Sequence, residues 1–236
     1  MPTSWQDIKR TLDERGFTDP MTLRFPEAAD AVFEETAKLA LYTRNPHIRF
    51  ETVRQLVSDP AITEAVAQLC GSGFVLWRSA FFNKVPGARE IGWHHDKHFS
   101  DGDDLVKLEM DLPHYSVFIS VTQTGSDNGM LEFVAGSHVD DLDMNRDPRP
   151  YHQRPPNEHN LPGLSPAVEA RVIATPLPQY TFMVFHSAIL HRSLQNTSGD
   201  RRLGLALRLS PGDLTFPEAQ ATAKDILPYP CATVPA

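Results

Sequence analysis

Apolar residues recur at helical spacing through the first third of the chain. Trp5, Ile8 and Leu12 share one helical face, which lies between Ser4, a typical N-cap residue, and Gly16, a typical C-cap residue. Two further stripes follow, with apolar positions Ala29, Val32, Phe33, Ala37, Ala40 and Leu41 after Pro26, and Ile62, Ala65, Val66 and Leu69 after Pro60. The pattern predicts three helices in a helical N-terminal part, residues 1–72.

After Gly73 the pattern changes to one that is typical of β-strands. Five segments alternate with a period of two or are rich in β-branched and aromatic residues: FVLWRSAFFNKV, YSVFISVTQT, ARVIATPL, QYTFMVFHS and RLGLALRLS. Helices followed by many short strands indicate a fold in which helices cover one face of a sandwich or closed barrel. We therefore expect a mainly β fold with flanking helices and a β core over residues 73–210.

One long polar segment interrupts the β pattern. Residues 139–166 are rich in proline and have no apolar periodicity. A loop of this length within a compact domain is uncommon and is usually a lid or a mobile segment, although a plain surface excursion is the alternative. The length of 236 residues favours a single domain, 1–236, that ends in a C-terminal tail, residues 211–236.

Charge and cysteine content narrow the class of protein. The formal net charge of −8 argues against a nucleic-acid or anionic-membrane partner. No apolar run approaches the ~18 residues of a membrane span, and the first ten residues lack the apolar core of a signal peptide. Two cysteines, Cys70 and Cys231, are too few for a disulfide framework. We expect a cytoplasmic protein with reduced thiols.

The candidate chemistry is concentrated in the histidine-rich segment IGWHHDKHF. On a strand, His94 and Asp96 would project from the same face, because side chains alternate between faces. A neutral imidazole beside a carboxylate offers two neighbouring ligands to a divalent metal. A histidine from another strand would complete a two-histidine, one-carboxylate face with three open positions, which suits non-haem Fe(II) chemistry.

Other interpretations of these residues stay open. A second His-x-Asp triplet, His138-Val139-Asp140, begins the polar segment, where nothing would fix the ligand geometry. In a helix, His94 and His98 would share a face as in zinc proteases, but the glutamate that acts as base in those enzymes is missing. A solvated histidine-rich loop is the third alternative.

The C-terminal third supplies the remaining candidates. His186 and His191 are both candidates for the third ligand. On the last strand, one face carries Arg202, Gly204, Ala206 and Arg208, and the other carries four leucines that we expect to be buried under the helices. The small residues leave volume beside an arginine, whose planar fork fits the distal carboxylate of a dicarboxylate. The alternative is an ordinary surface charge at a strand edge.

Three segments, WHHD, NGMLEFVAGSH and HRSLQNTSGDRR, occur in the order and at the spacing of motifs of a known family. They resemble the Trp-His-x-Asp, Asn-Gly-x-Leu…Pro-Gly-Ser-His and His-x-Ser…Asn-x-Ser…Arg segments of the phytanoyl-CoA dioxygenase (PhyH-like) family of iron(II)/2-oxoglutarate-dependent oxygenases. The resemblance extends from about residue 73 to residue 210. It implies a double-stranded β-helix of the jelly-roll, cupin-like type, in agreement with the strand pattern.

The resemblance also implies roles for particular residues. The implied Fe(II) ligands, and hence the catalytic residues, are His94, Asp96 and His191. Arg202 and Ser193 would bind the distal carboxylate of 2-oxoglutarate, and Asn83 would be a further cosubstrate contact. The implied reaction uses O2, decarboxylates 2-oxoglutarate to succinate and CO2, and hydroxylates an unactivated carbon of a small-molecule substrate, in secondary or specialised metabolism.

Two comparisons with relatives bear on the reaction outcome. Ala135 stands where the family usually has proline, which we expect to alter only a turn. Residues 74–96 are also similar to related iron halogenases, in which alanine or glycine replaces the ligand carboxylate and chloride takes its place. Asp96 fills that position here, which favours oxygen insertion or dehydrogenation. Halogenase, desaturase or cyclase activity and a non-catalytic metal-binding jelly-roll module stay open, as do the substrate and the oligomeric state.

Overall fold

The computed structural model describes residues 4–37, 39, 42–96, 98–101, 104–107, 114–140, 164–212 and 224–231. Most of the predicted lid segment falls outside these ranges, so the lid stays a prediction. Within the described part of the chain, no helix combines the length and the apolar character needed to cross a membrane.

Helices dominate the N-terminal part and strands the remainder. The helices are α1 (Trp5–Arg15), α2 (Glu27–Glu35), α3 (Pro46–Arg49), α4 (Glu51–Val57), α5 (Pro60–Leu69) and α6 (Pro166–Glu169). The strands are β1 (Met21–Thr22), β2 (Tyr42–Arg44), β3 (Phe74–Lys84), β4 (Ile91–His94), β5 (His98–Asp101), β6 (Asp104–Lys107), β7 (Tyr115–Ser120), β8 (Leu131–Val134), β9 (Val172–Thr175), β10 (Thr181–His186), β11 (His191–Ser193), β12 (Arg202–Pro211) and β13 (Leu227–Pro228).

The strands form two antiparallel sheets and a separate hairpin. The large sheet has the order β1-β10-β7-β12-β3-β13, with β2 paired to β3, and the small sheet has the order β4-β11-β8-β9. The strands β5 and β6 form the hairpin. The two antiparallel sheets and the N-terminal helices agree with the predicted mainly β fold with flanking helices.

The helices pack on one face of the large sheet, as the leucine pattern of β12 predicts. Leu203, Leu205, Leu207 and Leu209 are fully buried in one apolar cluster with residues of α2, α4 and α5. The small residue Ala206 on the opposite face belongs to a second cluster, which contains Phe118 of the large sheet and Phe133 of the small sheet. The strand therefore contributes to a helix–sheet core with one face and to the interior between the sheets with the other.

The helix termini follow the predicted capping for α1 and α5. The side chain of Ser4 accepts a hydrogen bond from the backbone N of Asp7, and Gly16 closes the helix in the left-handed conformation with φ of 88°. Asp59 accepts a hydrogen bond from the backbone N of Ala61 at the start of α5. The helices α3 and α4 were not predicted, because their stretch lacks a long apolar stripe.

The second predicted helix is shorter than its apolar stripe, so the prediction that it continues to Leu41 is wrong. The helix ends at Glu35, where the hydroxyl of Thr36 donates to the carbonyl of Val32 over 2.7 Å. The guanidinium of Arg201 donates to the carbonyls of Phe33 and Thr36, over 2.9 and 3.2 Å. These bonds satisfy the terminal carbonyls, and the chain then pairs with the large sheet as β2.

Candidate metal centre and cosubstrate pocket

Two histidines face each other across neighbouring strands of the small sheet. His191 on β11 is the direct pairing partner of His94 at the end of β4, and their ring centroids lie 4.2 Å apart. In each ring Nδ1 donates to the backbone carbonyl two residues earlier, over 2.8 Å to Gly92 and 3.1 Å to Ile189. Because a carbonyl only accepts, Nδ1 carries a proton, so in the neutral ring Nε2 has the lone pair that can bind a metal.

Asp96 brings a carboxylate to the same place. The ligand atoms that His94, Asp96 and His191 offer all lie within 4.8 Å of one another. Oδ2 of Asp96 accepts a 2.7 Å hydrogen bond from the hydroxyl of Ser116 on β7, and Oδ1 accepts one from Nη2 of Arg208 on β12. The small sheet thus supplies the imidazoles, and the large sheet holds the carboxylate.

The electrostatics of these groups favour metal ligation. Burial alone raises the pKa of Asp96, but the guanidinium of Arg208 and smaller contributions from His191, His94 and the hydrogen bond from Ser116 together outweigh it, and this pKa lies below its usual range. Burial lowers the pKa of His191, which favours the neutral imidazole. An ionised carboxylate beside neutral imidazoles is the donor set that suits Fe(II), so these residues fit the predicted metal.

The alternative ligands lie elsewhere. His138 uses Nε2 for a 3.1 Å hydrogen bond with the carbonyl of Asp13, and Asp140 pairs with Arg171. The ring of His186 packs against those of Tyr115 and His138, with centroid separations of 5.4 and 5.2 Å. Within the described part of the chain, only His94, Asp96 and His191 bring three ligand atoms close enough together for one metal ion, which favours His191 over His186 as third ligand.

Arg202 lies fully buried at the start of β12. Its Nη2 donates to the carbonyl of Gly129 over 2.9 Å, and its Cζ lies 5.1 Å from the ring centroid of Phe118. Its Nε has no hydrogen-bond partner among the described residues, and neither has the buried hydroxyl of Ser193. Buried polar groups are almost always satisfied, so both atoms fit contacts with a bound anion.

The structure does not place Asn83 with this group. Asn83 pairs with Leu203 across β3 and β12, and Lys84 pairs with Arg202. Directly opposed residues of antiparallel strands share a face, so Asn83 lies on the face that the helices cover, opposite to that of Arg202. Its predicted contact with the cosubstrate stays a prediction that this register does not favour.

Four residues near the site had no role assigned from the sequence: Lys84, His114, Ser116 and Arg208. Nζ of Lys84 donates to the carbonyls of Leu194 and Arg89 over 2.6 and 2.8 Å, and burial together with the charge of Arg202 lowers its pKa to about 7. Burial lowers the pKa of His114 to about 4. Only Arg208 had a signal in the sequence, because it shares strand parity with Arg202.

A curated relative has a related activity in its name. A "Probable alpha-ketoglutarate-dependent hypophosphite dioxygenase" from Stutzerimonas stutzeri is 28% identical over 106 residues, which is 44% of this chain and 34% of that protein. The match therefore spans about a third of that relative's length.

Solved structures of 2-oxoglutarate-dependent oxygenases share the fold at low identity, which confirms the jelly-roll prediction. The epimerase SnoN, solved with Fe3+, alpha ketoglutarate and nogalamycin RO, is 16% identical with a TM-score of 0.65, over 89% of this chain and 84% of SnoN. The alpha ketoglutarate dependent carbocyclase SnoK from nogalamycin biosynthesis is 18% identical with a TM-score of 0.64, over 93% of this chain and 98% of SnoK.

A family model confirms the resemblance seen in the sequence. The model of the phytanoyl-CoA dioxygenase (PhyH) family matches residues 14–204, most of the chain, including all three candidate ligands. The predicted dependence on Fe(II) and 2-oxoglutarate is confirmed with it. The chain therefore belongs to the phytanoyl-CoA dioxygenase family of iron(II)- and 2-oxoglutarate-dependent oxygenases.

Proposed function

We propose that this protein hydroxylates an unactivated carbon of a small-molecule substrate, with Fe(II) held by His94, Asp96 and His191. The convergence of their ligand atoms within 4.8 Å carries the proposal, because these residues come from distant parts of the sequence. Three protein ligands leave three positions for 2-oxoglutarate and O2. When bound, Fe(II) with these cosubstrates supplies the oxidising chemistry, and 2-oxoglutarate leaves as succinate and CO2.

The side chains of the site would orient the metal ligands, bind 2-oxoglutarate and keep water away from the metal. Hydrogen bonds from Nδ1 of both histidines fix their rings, and Ser116 and Arg208 hold the carboxylate. We propose that Arg202 binds the distal carboxylate of 2-oxoglutarate with Ser193 beside it. The buried guanidinium keeps its charge, because burial lowers its pKa only to about 10. Phe133 and Phe185 pack their rings against that of His191 and keep water from one side of the metal centre.

Other oxidative outcomes are the second candidate. SnoN is named an epimerase and SnoK a carbocyclase, and both share this fold. Both are named alpha ketoglutarate dependent, so dependence on this cosubstrate does not separate epimerisation or ring closure from hydroxylation. Halogenation is less favoured, because Asp96 occupies the ligand position that a halide would need.

We also propose that the protein is a single catalytic domain, that it is cytoplasmic and that it acts in specialised metabolism.

The test is succinate formation by the purified protein with Fe(II), 2-oxoglutarate, O2 and a small-molecule panel. Without a substrate we expect slow, uncoupled formation of succinate. With a substrate we expect faster turnover and a product that is heavier than the substrate by one oxygen atom. Asp96→Ala should abolish turnover, since it removes a metal ligand. Asp140→Ala, which changes the aspartate of the other His-x-Asp triplet, is the matched control and should retain activity. Normal turnover by Asp96→Ala would contradict the ligand set, and an absence of succinate throughout would favour the metal-binding module.

A further inference from the structure

We propose that Arg208 is a positioning residue of the metal centre, which holds the carboxylate of Asp96 where it meets Nε2 of His94 and His191. The inference rests on the proposed metal site and assigns a function to a residue outside the ligand set.

Residues of the large sheet donate hydrogen bonds to both carboxylate oxygens of Asp96. Arg208 on β12 pairs directly with Ser116 on β7, so their side chains leave the same face of the sheet. Nη2 of Arg208 donates to Oδ1, and the hydroxyl of Ser116 donates to Oδ2 over 2.7 Å. Two donors on neighbouring strands therefore set both the position and the rotation of the carboxylate.

Asp96 needs such support because its own strand does not provide it. The strand β4 ends at His94, and Asp96 lies two residues beyond in a turn. The imidazoles are fixed by strand pairing and by their bonds to backbone carbonyls, whereas the rotation of the Asp96 carboxylate is restricted by its hydrogen bonds to Ser116 and Arg208.

The burial of the pair separates it from an ordinary surface salt bridge. The side chain of Arg208 is 16% exposed and that of Asp96 is 4% exposed. A buried ion pair has lost much of its hydration, so its geometry is narrowly defined and the loss of one partner is costly. Each carboxylate oxygen has two lone pairs, so an oxygen that accepts from Arg208 can also ligate a metal.

Arg208 also contrasts with Arg192, which offers a matched control. Nε of Arg192, on β11, donates to Glu132 over 2.6 Å, and its Cζ lies 4.8 Å from the ring centroid of Trp93. Arg192 thus makes an arginine–carboxylate pair close in sequence to a ligand without touching Asp96. Removing its guanidinium tests whether any ion pair near the site has the same effect.

The experiment measures the affinity of the full-length protein for Co(II), whose visible absorption bands report ligation without turnover. Arg208→Ala should weaken Co(II) binding by about 10- to 100-fold, the usual effect of losing a group that orients a ligand. Arg208→Lys, which keeps the charge but loses the fork, should recover part of the loss, and Arg192→Ala should bind as the wild type does. Wild-type affinity in Arg208→Ala would overturn the proposal.

A second measurement applies even if Arg208→Ala folds poorly. In Asp96→Gly, added formate can occupy the space beside Arg208, so we expect formate to tighten Co(II) binding. In the double variant Asp96→Gly/Arg208→Ala, no buried charge is left unpaired and formate should have no effect. An equal effect of formate on the two variants, including no effect on either, would contradict the positioning role.

The outcomes distinguish this inference from the metal site on which it rests. If the wild type fails to bind Co(II), or if Asp96→Gly binds it normally, the proposed metal site is wrong. If Asp96→Gly loses affinity while Arg208→Ala and Arg208→Lys keep it, the metal site stands and only the role of Arg208 is wrong.

Discussion

In the described part of the chain, the basic side chains of Lys84, Arg202 and Arg208 lie near the candidate site, and each has a different set of partners. Arg208 pairs with a carboxylate, Lys84 donates to backbone carbonyls, and Arg202 donates one hydrogen bond to the carbonyl of Gly129. Arg202 has a buried Nε without a partner in the described part of the chain. Of the three, Arg202 therefore has the clearest capacity for a bound dicarboxylate.

Arg202→Ala should weaken 2-oxoglutarate binding by about 10- to 150-fold, since a hydrogen bond to a charged group is worth roughly 1.5–3 kcal/mol. The affinity is measured by titrating 2-oxoglutarate into the metal-loaded protein. Arg201→Ala is the control, because Arg201 covers the end of α2 and does not share the face of Arg202. Unchanged affinity in Arg202→Ala would remove this residue from the pocket.

His114 couples the stability of the metal-free protein to pH. Its pKa falls from 6.5 to about 4 on folding, chiefly through burial. Between these values the unfolded chain binds the extra proton, so the free energy of unfolding decreases as the pH falls from 6.5 to 4. At pH 4 this residue lowers the free energy of unfolding by about 3 kcal/mol relative to pH 7.

His114→Phe should therefore show a shallower loss of stability over this pH range. Urea unfolding of the two proteins in the presence of a chelator, from pH 8 to pH 4, gives the comparison. At pH 8 both carry an uncharged ring, so the difference there measures packing and lost hydrogen bonding, without any contribution from ionisation. Parallel stability curves from pH 6.5 to pH 4 would show that His114 does not titrate as expected.

Among the elements, β12 has the sharpest division between its two faces. Its leucines pack under the helices, while Gly204 and Ala206 face the interior between the sheets. A Cβ built on Gly204 would lie 2.1 Å from Cζ of Phe118, the ring that packs beside Arg202. The glycine is thus required by the close approach of this ring.

Gly204→Ala should displace Phe118 and disturb Arg202. We expect a loss of about 1–3 kcal/mol in stability from overpacking, together with weaker 2-oxoglutarate binding. Gly199→Ala is the matched control, because no atom lies within 4 Å of the Cβ built there. Thermal unfolding and cosubstrate titration measure the two effects, and a variant indistinguishable from Gly199→Ala in both would exclude the steric account.

The elements that the sequence predicts well are those whose burial follows a simple period. The alternation in β12 correctly predicts which face the helices cover, and the apolar stripe of α5 matches its buried residues. The end of α2 could not be predicted, because Arg201, 165 residues from Thr36, helps to cover its carbonyls. The sheet face on which Asn83 lies could not be predicted either, since it depends on the register between β3 and β12.

For the whole molecule, the family motifs predicted the fold and pointed to the candidate metal ligands, but not to the residues that contact them. Asp96 and Arg208 are separated by 112 residues, and Asp96 and Ser116 by 20. No local pattern reports such contacts, because they arise when the two sheets stack. The packing between sheets, set by Phe133, Phe185 and their neighbours, determines where these side chains meet.

The division of the ligands between the two sheets has a consequence for the lifetime of the protein. Both imidazoles belong to the small sheet, while the carboxylate is fastened to the large sheet through Ser116 and Arg208. A metal bound by His94, Asp96 and His191 would link the two layers. We then expect the metal-free protein to unfold more readily, and to be digested faster by proteases, than the metal-bound protein.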